Sequence, residues 1–379
     1  MEEIYLDHAA TTPVHPAVLD AMLPFYKEMH GNPSSLHRFG QRTRYVVDQA
    51  RSTIAASLHA SPAEIVFTSG GTEADNMALI GIMAAHAEKG KHLITSTIEH
   101  HAVLDTCEYL ERQGYEVTYV PVDHTGTVSV EAIRAAIRPD TVLISIMYGN
   151  NEVGTLQPIE EIGRIARENG VYFHTDAVQA YGVEALDVKQ LPVDLLSLSA
   201  HKINAPKGIG ALYIARNIKI APYLHGGNQE KKRRAGTENV AGISGFAKAV
   251  EIVMAQREEH RADYLKYRAL MLEIWQEMGV EYTLNGHPEH YLPHILNVSF
   301  PSIKTETMLM NLDIAGIAAA SGSACTAGSL EISHVLQAMN LPEAIVESAI
   351  RFSFGYGNSP EQIRAAARKI GGIVQGGNK

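Results

Sequence analysis

From Glu64 onward, apolar runs of four or five residues alternate with longer stretches in which apolar residues recur at helical spacing. The run Ile65-Val66-Phe67-Thr68 reads as a buried strand leading to a helix near 73–87. The same unit repeats: His92–Thr95 then a helix near 102–113, Glu116–Val120 then 130–137, Val142–Ile146 then 159–169. Strands at Val171–Thr175, Asp194–Leu198 and Ala211–Ile214 follow. Alternation of this kind predicts an α/β fold, a mainly parallel sheet with helices on both faces.

The ends read differently. Residues 1–15 form an extended arm, Tyr5-Leu6-Asp7-His8-Ala9-Ala10-Thr11-Thr12-Pro13, expected to pack with a smaller C-terminal unit. Helices follow from about Pro16 to Gly31 and from Gln41 to Leu58, where Val46, Val47, Ala50, Ile54 and Leu58 share a face. After Asn239 a long helical region runs to about Met278. Beyond it, short strands at Ile295–Phe300 and Arg351–Phe354 mix with helices near 305–312 and 360–371. These patterns predict a large domain over 16–260 and a small α+β domain over 261–379, divided inside the long helix.

Composition narrows the function. The net charge of −10 disfavours direct binding of nucleic acid or of an anionic membrane surface. The basic run Lys231-Lys232-Arg233-Arg234 is too short to reverse that. No apolar run approaches the roughly 20 residues of a membrane span, and Met1–Asp7 lacks the features of a signal peptide. Two cysteines, Cys107 and Cys325, build neither a disulfide framework nor a four-thiolate site. A cytoplasmic protein with no intrinsic metal site is expected.

Three strand ends carry polar clusters, and open α/β sheets bind ligands beyond the carboxyl ends of their strands. In Thr68-Ser69-Gly70-Gly71-Thr72-Glu73 two glycines bare backbone N–H groups at a helix start, suited to one phosphate. The P-loop and dinucleotide spacings are absent. In His174-Thr175-Asp176-Ala177-Val178-Gln179 the acid is either a helix cap or the partner of a protonated ring nitrogen. In Ser199-Ala200-His201-Lys202 a lysine ends a buried strand, where apolar surroundings favour the free amine that an aldehyde condenses with. Phosphate cradle, ring-nitrogen acid and amine together describe a pyridoxal phosphate site.

Here the chain resembles the cysteine desulfurases of the NifS/IscS type, class-V aminotransferase relatives among the fold-type-I, aspartate-aminotransferase-like enzymes. The resemblance rests on Tyr5–Pro13, Gly31–Ser35, Thr68–Glu73, Glu99-His100, Asn150–Gly154, Asp176–Gln179, Ser199–Lys202, Ala235–Thr237, Ser321–Thr326 and Ile350–Ser353. It implies that Lys202 holds the cofactor aldehyde and then serves as base at the substrate Cα. Asp176 would pair with the ring nitrogen, Gln179 with the ring hydroxyl, and His100 would stack on the ring and handle the substrate thiol proton. An unperturbed imidazole pKa of about 6.5 suits that last task. Gly71, Thr72, Ser199 and His201 would hold the phosphate, joined by Thr237 from the other subunit of a homodimer. Asn151 and Arg351 would fix the substrate carboxylate, the arginine as a planar fork.

Cys325 separates the chemistries of this fold. It lies among small residues, Ala320-Ser-Gly-Ser-Ala-Cys-Thr-Ala-Gly-Ser329, unlike a core cysteine set among Leu, Val and Ile, and reads as an accessible thiol on a loop. Cys107, on an amphipathic helical pattern, reads as structural. The resemblance implies that Cys325 accepts sulfur from L-cysteine as a persulfide, releases alanine, and passes the sulfur to an acceptor, an iron–sulfur scaffold or a tRNA-thiolating enzyme. It also allows Cys325 to ligate a cluster transiently on such a partner. The chain ends soon after its last helix, which tilts the expectation toward a thiolation partner. An aminotransferase or selenocysteine lyase of the same fold would not need Cys325. A non-catalytic sulfur carrier would leave the lysine site purposeless.

Overall fold

The structure, a computed structural model, describes residues 3–322 and 332–376. The first strand, β1 (Ile4–Tyr5), belongs to the N-terminal arm. Seven strands follow: β2 (Ile65–Thr68), β3 (His92–Ser96), β4 (Glu116–Val120), β5 (Thr141–Ser145), β6 (Tyr172–Asp176), β7 (Leu195–Ser199) and β8 (Gly210–Ile214). They form one sheet in the order β2-β8-β7-β6-β5-β3-β4. Only β8 runs antiparallel to its neighbours; the other contacts, from β7 to β4, are parallel. Every residue of β2, β3, β5, β7 and β8 is buried, as expected for strands covered on both faces. The six co-directional strands therefore bring their carboxyl ends to one edge of the sheet.

Three strands, β9 (Thr283–Asn285), β10 (Ile295–Ser299) and β12 (Ala349–Ser353), make a second, antiparallel sheet. The arm strand β1 pairs in parallel with β11 (Ile317–Ala318), so the first and last hundred residues are joined. Neither two-residue strand of this pair was readable as a period in the sequence, and β9 was likewise missed.

The helix Val240–Glu277 links the two sheets. Its first half, through Phe246, Val250 and Val253, packs into the core around the large sheet. Its second half, from Tyr264 through Tyr267, Met271 and Trp275, packs into a separate core with Leu296, Phe300, Phe352 and Ile370. The indole of Trp275 donates to the Ala367 carbonyl at 3.0 Å, so this large buried ring has its polar atom satisfied. Two cores on one rigid helix hold the carboxyl edge of the large sheet beside β12.

Candidate active site

At that edge lies a cavity of about 440 Å³. The lining converges from the ends of several strands. Gly71 and Thr72 follow β2, His100 follows β3, Asn151 follows β5, Asp176 and Gln179 end β6, and Ser199, His201 and Lys202 end β7. Arg351 enters from β12, and Ala9 and Ala10 come from the arm. Ten of the residues singled out in the sequence thus line one cavity. Thr237 does not: it is exposed on the loop before the long helix. Cys325 lies outside the described residues.

The Lys202 amine donates to the carbonyls of Ala9, at 2.5 Å, and Ala10, at 2.8 Å. The arm thereby closes one wall and points the amine inward. Asp176 is 7% exposed, and its Oδ1 accepts from the Val178 N–H at 2.8 Å. Burial lifts this carboxyl to about 6, against the opposing pull of that N–H and of the Lys202 charge. Gln179 donates through Nε2 to Ala9 O at 2.9 Å, which turns its amide toward the arm.

Behind Gly71 the helix Gly71–Ala85 begins with no side-chain cap. Its first residues, Gly71 and Thr72, line the cavity, and backbone N–H groups at a helix start suit an anion. A Cβ at Gly71 would come within 2.8 Å of Val178 Cγ2, so the close packing of the helix start against Val178 favours glycine there. Ser199 is 2% exposed. His201 reaches Thr11 Oγ1 through Nδ1 at 3.1 Å, and burial beside Lys202 lowers its pKa to about 4. An uncapped helix start, a buried carboxyl and an inward amine fit a phosphorylated pyridine aldehyde in charge and in size.

His100 corrects one expectation. It caps the helix His101–Arg112, and its Nδ1 accepts from the Ala102 N–H at 3.1 Å. Burial, aided by the charge of Lys202, lowers its pKa to about 4 rather than leaving it near 6.5. At neutral pH the ring is uncharged. Because Nδ1 is an acceptor, the ring proton sits on Nε2, which makes His100 a hydrogen-bond donor from Nε2.

Arg351 is also unlike the surface ion pair that an isolated strand-start arginine suggests. Its side chain is 3% exposed. It donates to Asn151 O at 2.9 Å through Nη1 and to Asp7 Oδ1 at 2.9 Å through Nη2. Its Nε is buried and has no hydrogen-bond partner among the described residues. The guanidinium joins the arm, β12 and the Asn150–Gly154 turn at the cavity wall.

Sequence reasoning missed Asp75. It is 1% exposed and lines the cavity; its Oδ1 has no hydrogen bond among the described residues and lies 3.6 Å from His174 Nε2. An acid in the mostly apolar helix pattern Ala74-Asp-Asn-Met-Ala-Leu-Ile80 is the signal that could have found it. Cys107 is buried, as read, and burial pushes its thiol well above the usual range.

Comparison with known proteins agrees with this geometry. Residues 4–365 match the Aminotransferase class-V family. A putative cysteine desulfurase IscS 1 of Bacillus subtilis (strain 168) is 52% identical over 376 residues, covering 99% of each chain. A solved NifS-like protein superposes with a TM-score of 0.93 at 38% identity, covering 99% of this chain and 100% of that one. A structure described as SspA in complex with cysteine gives a TM-score of 0.82 at 39% identity, covering 93% and 98%. The chain belongs to the class-V aminotransferases, a pyridoxal-phosphate family, and within it to the cysteine desulfurases of the NifS/IscS type.

Proposed function

We propose that this chain takes sulfur from free L-cysteine, releases L-alanine and carries the sulfur as a persulfide on Cys325 to an acceptor protein. The observation that supports it best is the convergence of the Lys202 amine, the Asp176 carboxyl and the Arg351 guanidinium on one cavity. The relative named cysteine desulfurase and the solved structure described as in complex with cysteine support the substrate.

When bound, pyridoxal phosphate supplies an electron-poor ring that weakens first the Cα–H and then the Cβ–S bond of the substrate. The chain does the rest. Gly71 and Thr72 at the helix start, with Ser199 and His201, would hold the phosphate. Lys202 would hold the aldehyde at rest and, once displaced, take the Cα proton on Nζ. Asp176 would keep the ring nitrogen protonated, with Gln179 toward the ring hydroxyl. Arg351 and Asn151 would seat the substrate carboxylate. His100, neutral and donating through Nε2, would stack on the ring and steady the leaving sulfur. In the overall change the Cβ–S bond and the Cys325 S–H bond break, an S–S bond to Cys325 and a Cβ–H bond form, one thiol proton ends on alanine Cβ and the other stays on the persulfide. Carbon is reduced as sulfur is oxidised, so no outside oxidant is needed.

The same reading makes the protein a cytoplasmic homodimer in which Thr237 completes the other subunit's phosphate site. Its acceptor would be an iron–sulfur scaffold or a tRNA-thiolating enzyme. The arm (1–15), large domain (16–260) and small domain (261–379) belong to this reading, supported by the passage of the long helix from one core to the other. The test is incubation of the holoenzyme with L-cysteine and excess dithiothreitol. Equal amounts of alanine and sulfide are expected; alanine without sulfide, or neither, contradicts the proposal.

A further inference from the structure

Glu152 has no part in the mechanism above, yet it is a carboxylate 2% exposed beside the substrate turn. Its backbone is fixed: Asn150 Oδ1 accepts from the N–H groups of Glu152, at 2.8 Å, and Val153, at 2.9 Å. Asn297 Nδ2 donates to the Glu152 carbonyl at 3.1 Å. The side chain reaches out of this turn to two residues far along the chain. Ser333 Oγ donates to Oε2 at 2.5 Å while itself capping the helix His334–Ala338 through the Leu336 N–H. On the other side Gly322 lies directly against the same carboxylate. A Cβ there would fall 1.8 Å from Oε2 and 2.3 Å from Cδ.

Gly322 and Ser333 are the two ends of the ten-residue segment that carries Cys325. The N-terminal side is held again two residues earlier, where Ala320 and Arg351 exchange backbone hydrogen bonds at 3.2 and 2.7 Å. Arg351 in turn donates to the carbonyl of Asn151, the neighbour of Glu152. One buried carboxylate therefore joins both roots of the thiol-bearing segment to the turn and the strand proposed to bind the substrate carboxylate. Burial raises the pKa of this carboxyl, against the Ser333 hydroxyl that donates to it, so holding a carboxyl here is costly.

We propose that Glu152 is a positioning residue for sulfur transfer: it ties Ser333 and seats Gly322 so that both ends of the Cys325 segment stay fixed beside the substrate. This rests on the reading of Cys325 as sulfur acceptor. Glycine at 322 follows from space, because any side chain would displace the carboxylate. Glutamine at 152 keeps the shape and an oxygen for Ser333, so Glu152→Gln is the conservative control. Alanine at 152 removes both contacts.

The experiment compares wild type, Glu152→Gln, Glu152→Ala, Gly322→Ala and the Gly322→Ala/Glu152→Ala pair, each loaded with pyridoxal phosphate. Three quantities are read: deuterium exchange at Cα of L-cysteine, the rate of persulfide formation on Cys325, and iodoacetamide labelling of Cys325 before L-cysteine is added. Buried Cys107 serves as an internal unreactive thiol. Cα exchange should stay within about twofold of the wild-type rate. Persulfide formation in Glu152→Ala and Gly322→Ala should fall about tenfold, the scale of one lost hydrogen bond to a charged group. Labelling should rise at least about threefold in both variants, and Glu152→Gln should stay within about twofold of wild type on every readout. The pair should be no worse than Glu152→Ala, since the colliding carboxylate is gone.

Wild-type persulfide formation and labelling in both alanine variants would overturn the inference, and so would additive losses in the pair. If Glu152→Ala does not fold, Gly322→Ala and Ser333→Ala decide by the same criteria. Absence of any persulfide on the wild type would instead contradict the reading of Cys325, and absence of exchange would contradict that of Lys202.

Discussion

Arg351 Nη2 donates to Asp7 Oδ1 at 2.9 Å, joining the last strand to the N-terminal arm across 344 residues of sequence. The arginine side chain is 3% exposed and the aspartate 19%, so the pair is largely shielded from water. The arm thus aims the fork that the substrate carboxylate would meet. Removing Asp7 leaves a buried guanidinium held by one carbonyl.

The first prediction follows from that pair. Asp7→Ala should cost about 3 kcal/mol in stability, the scale of a broken buried ion pair. It should also raise KM for L-cysteine more than it lowers kcat, because the fork loses its brace. Urea unfolding and initial-rate kinetics check both. Unchanged stability together with unchanged KM would contradict it.

Glu230 anchors the loop that leads to Thr237. Arg51 donates to both its oxygens at 2.6 Å, and the Phe67 N–H donates at 3.0 Å. Glu230, Lys231 and Lys232 all have positive φ, at 45°, 56° and 66°. Such a run is strained for side-chain-bearing residues, and the buried ion pair holds it in place. Glu230→Ala should destabilise by about 3 kcal/mol, whereas Lys231→Gly should be neutral or stabilising by up to about 1 kcal/mol. Thermal unfolding distinguishes the two.

Glu99, wholly buried, predicts a pH dependence. Burial pushes its carboxyl from 4.5 up to about 8, although Ser96 Oγ and the Met147 N–H both donate to it. The folded protein keeps this proton until about pH 8, while the unfolded chain loses it near 4.5. Its contribution to stability is therefore complete below pH 4.5 and is lost progressively as pH rises to 8. Glu99→Gln removes that slope. Relative to wild type, the variant should gain on the order of 3 kcal/mol between pH 5 and pH 8. Denaturant unfolding at the two pH values measures it, and equal differences at both would contradict the shift.

Lys202 gives a chemical test. Borohydride reduction of the pyridoxal-phosphate-loaded protein should fix the cofactor to the peptide containing Lys202 and nowhere else. Lys202→Ala should show no fixed cofactor, while its fold, held by β7 and its neighbours, persists. A label on another lysine would contradict the assignment.

The sequence reached far into the fold because its signals were local. Buried strands such as Ile65–Thr68 are short, mainly apolar runs, and helices such as Gln41–Leu58 show their face directly. The site was readable for the same reason: each cluster sits at a strand end, and strand ends share an edge. What stayed hidden depends on partners remote in sequence. The pairing of Ile4–Tyr5 with Ile317–Ala318, the Asp7–Arg351 bridge and the grip of Glu152 on Ser333 leave no periodicity. The depressed basicity of His100 is likewise a property of burial and of Lys202 nearby, so a free-imidazole value misled.

Lys202 and Cys325 are held to act in succession, one loosening the sulfur and the other catching it. The most direct measurement is intact-mass analysis of the loaded protein after L-cysteine alone, without reductant, beside Cys325→Ser. The wild type should gain one sulfur atom on Cys325 and release an equal amount of alanine, while the variant gains none. Sulfur on Cys107, equal gain by the variant, or alanine released with no sulfur bound would contradict it.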